Sequence, residues 1–435
     1  MASFSQPGTV VTDHVVEVPL DHAEPGGEQI QVFAREVVAT EQAPGTGPGR
    51  AREELPWLLF LQGGPGMPSP RPSGREIWLD RALREFRVLL LDQRGTGRST
   101  PANRRTLARL RTPQAQADYL AHFRADSIVA DAEQLRQKIA GGRPWSVLGQ
   151  SFGGFCTVTY LSQAPEGLAE AFVTGGLPGL DTTADDVYQA TYRLVAAKNA
   201  MHYQRYPADA QQARRIARHL ADRDVTLPSG AVLTVEAFQA LGHGLGMSTG
   251  SHQLHYLLDE AFDGDELGDD FLYRVQAQLT FAAGPLYAAL HESCYAQGCA
   301  TNWSAQRIRA QFPDYDARAA LDGTGPVLFT GEMIYPWMFE NDPLLRPLAG
   351  AAEALAARED WPPLYDAARL GANRVPVAAA VYYDDMYVPQ QLSVDTAARI
   401  AGLRRWVTSE YEHDGLRVSN GAVLDRLIGM ARGTI

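Results

Sequence analysis

The sequence predicts an α/β architecture with a helical unit inserted before its last strands, on three observations. Short, almost wholly apolar runs, Trp57-Leu58-Leu59-Phe60-Leu61 and Arg87-Val88-Leu89-Leu90-Leu91-Asp92, each end in a glycine-rich segment. Strands apolar on both sides suit a parallel sheet with helices on both faces. The rhythm of strand, turn, helix and strand persists to about residue 180, as such a sheet requires. It then breaks over residues 181–372, where arginine, alanine and leucine dominate, and returns at 375–383 and 405–411. The chain is therefore expected to form an α/β core from residues 1–180 and 373–435, with a mostly helical cap from residues 181–372.

The elements follow in order. Residues 9–19 and 29–38 alternate and favour strands, with Glu24-Pro25-Gly26-Gly27 as the turn between them. Residues 43–50, rich in proline and glycine, read as a flexible loop. Ile128, Val129, Ala132, Leu135 and Ile139 recur at helical spacing, which predicts a helix over 127–139 with Ser127 as a possible N-cap. Residues 146–149 form a strand; a glycine-rich turn and a helix over 155–164 follow, then a short strand at 171–174. Late in the chain, residues 391–401 suit a helix.

Composition bounds the function. At 435 residues the chain could hold up to three units of about 150 residues. With 45% hydrophobic and 21% charged residues, it is no disordered protein. A net charge of −12 without any basic block makes nucleic acid and anionic membrane surfaces poor partners. Cys156, Cys294 and Cys299 are too few for a disulfide scaffold. The Cys294/Cys299 pair lacks the second half of a zinc site, so reduced structural thiols and no metal are expected. The N-terminus lacks the charged start and apolar core of a signal peptide. No window approaches the roughly 18 to 20 apolar residues of a membrane span. A soluble, cytoplasmic protein is expected.

The chemistry centres on Gly149-Gln150-Ser151-Phe152-Gly153-Gly154. A Gly-x-Ser-x-Gly pattern after an apolar strand and before a helix puts serine on a sharp turn that lifts its hydroxyl clear of the sheet, with small residues needed on either side. The helix starting there aims backbone N–H groups at developing negative charge. A nucleophilic serine needs a base, and the base an orienting carboxylate. In hydrolases built on such an elbow the acid and then the histidine follow the serine. Asp384 and Asp385 end a strand, and of the ten histidines only His413 lies beyond them. Neighbours on a strand point to opposite faces, so one aspartate alone should reach the ring; Asp385 is preferred over Asp384. The oxyanion hole is expected from the backbone N–H of Phe152 and from Gly63 and Gly64.

Three motifs together, Gln62-Gly63-Gly64-Pro65-Gly66, Asp92-Gln93-Arg94-Gly95-Thr96-Gly97-Arg98-Ser99 and the serine segment, resemble the prolyl aminopeptidase (proline iminopeptidase) family. The resemblance covers roughly residues 55–180 and 375–415. It implies an α/β-hydrolase core with an inserted cap, and a cofactor-free serine peptidase releasing N-terminal proline from small peptides. Departures stand at Gln62, where histidine is frequent, at Phe152, where tryptophan is common, and at Tyr382-Tyr383-Asp384-Asp385, where Gly-Arg-Tyr-Asp is usual. Aligning that last run on its aspartate and Met386 favours Asp385. The family is similar in holding the substrate's ammonium with cap glutamates. Glu292, in His291-Glu292-Ser293-Cys294-Tyr295, is the first candidate for that role. Glu332, in Gly331-Glu332-Met333-Ile334-Tyr335-Pro336-Trp337, is second, and Glu260 a distant third.

The remaining motifs carry less. Asp92-Gln93-Arg94-Gly95 reads as a loop brace, the glycine-rich stretches lack a phosphate-loop ending, and His252 and His255 form no recognisable metal pattern. Two rivals share the scaffold: an esterase or lactonase, indifferent to acetylation of the substrate amine, and a non-catalytic binding protein.

Overall fold

The computed structural model describes residues 3–42, 55–75, 77–322 and 325–435; the expected loop at 43–50 lies outside them. In chain order the strands are β1 (Ser3–Gln6), β2 (Thr9–Pro19), β3 (Gln29–Ala39), β4 (Trp57–Leu61), β5 (Arg87–Asp92), β6 (Trp145–Gln150), β7 (Leu168–Thr174), β8 (Phe262–Asp263), β9 (Glu266–Leu267), β10 (Val377–Tyr382) and β11 (Arg404–Thr408). Nine form one sheet in the order β1-β2-β3-β5-β4-β6-β7-β10-β11, and β8 pairs with β9 alone. The first strands are antiparallel through the β3–β5 pairing; from β5 to β11 all are parallel.

The apolar runs explain the layering. In β4, Leu59 and Leu61 face one core with Leu89, Leu91 and Val147, against the helices Ala125–Ile139 and Phe152–Gln163. Leu58 and Phe60 face the other, with Val88, Leu90, Leu148 and Phe172, against Ile77–Leu83 and Ala422–Arg432. Because side chains alternate along a strand, two covered faces demand a continuous apolar run, and β4 is buried at all five positions.

Several local expectations need correction. The helix over Ala125–Ile139 has Arg124, not Ser127, at its N-cap, without a side-chain cap bond. Arg124 instead sends its guanidinium to the carbonyls of Ala296 and Pro362, at 2.6 and 2.8 Å, so a long-range tie fixes this end. The helix expected at 155–164 starts at Phe152, directly behind the serine. Between β7 and β10 the chain is mainly helical, from Ala184–Arg205 to Ala367–Gly371, but contains the β8–β9 hairpin. The sequence reading also left out β1 and the Ile77–Leu83 helix.

One of the most crowded points lies under the elbow. A methyl on Gly153 would stand 1.9 Å from the carbonyl oxygen of Leu61, and one on Gly149 would stand 2.3 Å from that of Gly153. The first turn of the helix thus rests on the ends of β4 and β6. Gly153→Ala should lower stability by about 1–3 kcal/mol, read as a lower midpoint in urea unfolding with an unchanged slope.

Candidate active site

Ser151 leaves β6 with φ 55° and ψ −125°, a region that costs a non-glycine residue about 1–3 kcal/mol. Its neighbours hold it there. Its N–H donates to Thr174 O at 3.0 Å, and Gly154 N donates to its carbonyl at 2.7 Å. Phe152 is the first residue of the helix, so its N–H has no partner within that helix. Across from it, Gly63 packs so closely that a Cβ would lie 2.9 Å from the Ser151 Cβ. Gln93 Nε2 holds this loop through the carbonyl of Gln62, at 2.9 Å.

The run beginning at Asp92 braces the same loop. Asp92 is fully buried and accepts from Ser69 N at 3.1 Å, Arg71 Nη1 at 2.8 Å and Arg98 N at 2.9 Å. Arg94, also buried, pairs with Asp131 at 2.6 Å and donates to the carbonyls of Leu20 and His122, at 2.7 Å each. Asp92 and Arg94 tie loops together and do not line the cavity described below, whereas Arg71 reaches its wall.

Asp384 and Asp385 lie beyond β10, in the turn after Tyr382. Strand alternation therefore does not separate them; the turn does. Asp384 is exposed and Asp385 is buried. Asp385 Oδ1 accepts from the backbone N–H of Tyr387 and Val388, at 2.9 and 3.0 Å, and Oδ2 lies 2.7 Å from His413 Nδ1. Both oxygens are thus engaged, which fixes the carboxylate edge-on to the ring. Burial opposes the charged form of His413, but the adjacent Asp385 carboxylate outweighs it, and the pKa is raised from its ordinary value.

A cavity of about 650 Å³ opens over Ser151 and His413, lined also by Gln62, Gly63, Gly64 and Glu332. A smaller recess runs from Ser151 between Phe152, Phe155, Tyr295 and Cys294, with Glu332 and His291 on its wall. Glu332 belongs to both. Burial raises its pKa to about 7, against the hydrogen bond it accepts from the Tyr287 hydroxyl.

Glu292 is not brought to either space. Its Oε2 accepts from Ser304 N at 3.0 Å and Oε1 from Ala305 N at 2.9 Å, at the start of the helix Ser304–Arg309. Both oxygens serve a helix end, so the structure does not bring the first choice for the amine-binding role to the cavity. Glu260 is exposed and pairs with Arg274. His255 pairs with Asp209 at 3.0 Å and stacks on Tyr206. The sequence reading did not find His243, Tyr287 and Tyr387, which also line the main cavity. Tyr387 packs its ring 4.6 Å from that of His413 and donates its hydroxyl to the His243 carbonyl at 2.5 Å. Its place two residues after Asp385 was the one available signal.

The fold is that of an α/β hydrolase: the family described by that fold matches residues 56–222. A proline iminopeptidase of Aeromonas sobria is 50% identical over 420 residues, 96% of this chain and 96% of its own. One of Aspergillus aculeatus is 35% identical over 429 residues, 96% of this chain and 93% of its own. Among solved structures, the proline iminopeptidase of Mycobacterium smegmatis aligns over 97% of this chain and 100% of its own, at 16% identity and a TM-score of 0.44. The chain belongs to the proline iminopeptidase family. No helix among the described residues is long and apolar enough to cross a membrane.

The strain at Ser151 is measurable. Glycine accepts these dihedrals freely, at an entropic cost of roughly 0.5–1 kcal/mol. Ser151→Gly should therefore be at least as stable as Ser151→Ala in thermal unfolding. A clearly less stable glycine variant would show that the elbow is relaxed.

Proposed function

We propose that the chain is a serine aminopeptidase that releases N-terminal proline from peptides, with Ser151 as nucleophile, His413 as general base and Asp385 as the acid that orients it. The observation that carries this reading is the half-buried carboxylate of Glu332 in the same cavity as Ser151 and His413. An ammonium held by Glu332 places the substrate's first residue beside the serine. The main cavity has the room for the proline ring, since the recess between Phe152, Phe155 and Tyr295 holds only about 10 Å³ of free space. An N-terminally extended peptide would have to bury an uncharged amide against the carboxylate, which disfavours it. Residues 181–372 supply Glu332 and close the site as a cap over residues 1–180 and 373–435.

The steps follow from these positions. Ser151 Oγ attacks the proline carbonyl as neutral His413 takes its proton, and the resulting imidazolium is stabilised by Asp385. The oxyanion is met by backbone N–H groups of Phe152 and of the Gly63-Gly64 loop. His413 returns the proton to the leaving amine, and the peptide shortened by one residue departs. Water, deprotonated by His413, then attacks the acyl-enzyme and frees proline.

Turnover of proline p-nitroanilide, its N-acetyl derivative and p-nitrophenyl acetate tests the reading. Cleavage of the free-amine amide with little of the acetylated form is expected, whereas equal turnover of both would favour an esterase-like site and sink the peptidase. Ser151→Ala should remove turnover of all three.

Glu332→Gln should cut kcat/KM for proline p-nitroanilide about 10- to 100-fold and spare p-nitrophenyl acetate. The pH profile separates the two groups. His413 acts as base only when neutral, so activity is lost as pH falls through its raised pKa. Glu332 binds an ammonium only when ionised, so kcat/KM for the amine substrate also falls as pH drops through about 7. In Glu332→Gln the remaining acid limb should be that of His413 alone, with a slope near one.

A further inference from the structure

The cleft carries a positive charge that the aminopeptidase reading leaves unused. Two arginines line it with Ser151 and His413: Arg71 and Arg417. Arg71 is already neutralised, since it makes an ion pair with the buried Asp92. Arg417 is not. It sits in the short helix Gly415–Val418, just past His413, and its Nη2 donates to the uncharged amide oxygen of Gln150 at 3.2 Å. Among the described residues it forms no ion pair. The acid whose field reaches it, Asp414, is held by Ser248, whose N–H lies 3.2 Å and whose hydroxyl lies 2.7 Å from its carboxylate oxygens. The Gln150 bond ties the guanidinium to the residue before the nucleophile, so its position is set relative to the scissile bond.

We infer that Arg417 binds the C-terminal carboxylate of the departing fragment, so that the enzyme selects very short peptides with a free C-terminus. This rests on the proposed aminopeptidase reading and extends it to the leaving-group side. A peptide of two or three residues carries an ammonium and a carboxylate only a few ångströms apart. In a dipeptide the carboxylate carbon stands two bonds beyond the scissile nitrogen, and a third residue moves it about 3.5 Å further. The cleft offers the matching pair: the Glu332 carboxylate for the ammonium and the Arg417 guanidinium for the carboxylate, both on the cavity that holds Ser151. A guanidinium takes a carboxylate through two parallel hydrogen bonds, which fixes direction as well as charge. Because the arginine is reached by solvent, the interaction is a selector of moderate strength, worth about tenfold.

The test compares kcat/KM for Pro-Leu with that for Pro-Leu-amide, beside proline p-nitroanilide. In the wild-type protein the free acid should be preferred about tenfold over the amide. Arg417→Met should bring that ratio close to one through a loss confined mainly to the acid, and Arg417→Lys should restore part of it. A wild-type ratio of one overturns the inference without any variant. So does an equal fall of acid, amide and anilide in Arg417→Met, which would mark a structural role. Absence of turnover on every proline substrate would overturn the aminopeptidase reading and this inference together, whereas anilide turnover with a ratio of one overturns this inference alone.

Discussion

The site depends on a contact with no side chain on one side of it. Where the Phe152–Gln163 helix begins, Gly153 lies against the end of β4 so closely that even a methyl would enter the van der Waals shell of the Leu61 carbonyl. That approach sets the distance between the helix start and the loop after β4. It thereby sets where backbone donors from Phe152 and Gly63 stand relative to the serine. The dihedral strain at Ser151 is the cost of the same approach, offset by the Thr174 and Gly154 hydrogen bonds and by two apolar cores that hold the sheet from both faces.

Around this point the charges are ordered by what each is bonded to more than by how deeply it lies. Asp92, Asp131, Asp385 and Glu292 are buried, and Glu332 is half-buried. Asp92 and Asp131 face arginines, Glu292 faces a helix start, and Asp385 is saturated by two backbone donors and a histidine. Glu332, with a tyrosine hydroxyl as its hydrogen-bond donor, keeps acceptor capacity facing the cavity. A half-buried carboxylate left in that condition is poised between its two protonation states, and its desolvation is the cause. The difference between a structural and an available acid is therefore one of partners.

What the sequence made legible follows from this. Strands covered on both faces must be apolar throughout, so β4 and β5 could be read at their observed limits. The serine elbow and the order of residues after it are local patterns, and the fold could be inferred from them. The two cap glutamates could not be ranked correctly, because each sits among plausible neighbours in sequence. Their roles are decided by Ser304, Ala305 and Tyr287, which lie 12, 13 and 45 residues along the chain from the glutamates they bond and meet them only through folding. Ser127 was misplaced as a cap for a related reason: Arg124 is held by carbonyls more than 170 residues downstream. His243 and Tyr387 left little trace, since what matters in one is a backbone carbonyl and in the other a ring face.

The contact between those two has a wider implication. The backbone N–H of His413 donates to the carbonyl of Gly246 at 3.2 Å, while Tyr387, whose ring lies tilted against that of His413, donates to the carbonyl of His243. One stretch of backbone, Ala240–Gly246, thus holds both the main chain of His413 and the tyrosine packed against its imidazole. The helical segment is in consequence no interchangeable module. Grafting it from one relative onto another would carry along the placement of His413 beside Ser151, so the shape of the cavity and the alignment of the residues beneath it would have to be inherited together.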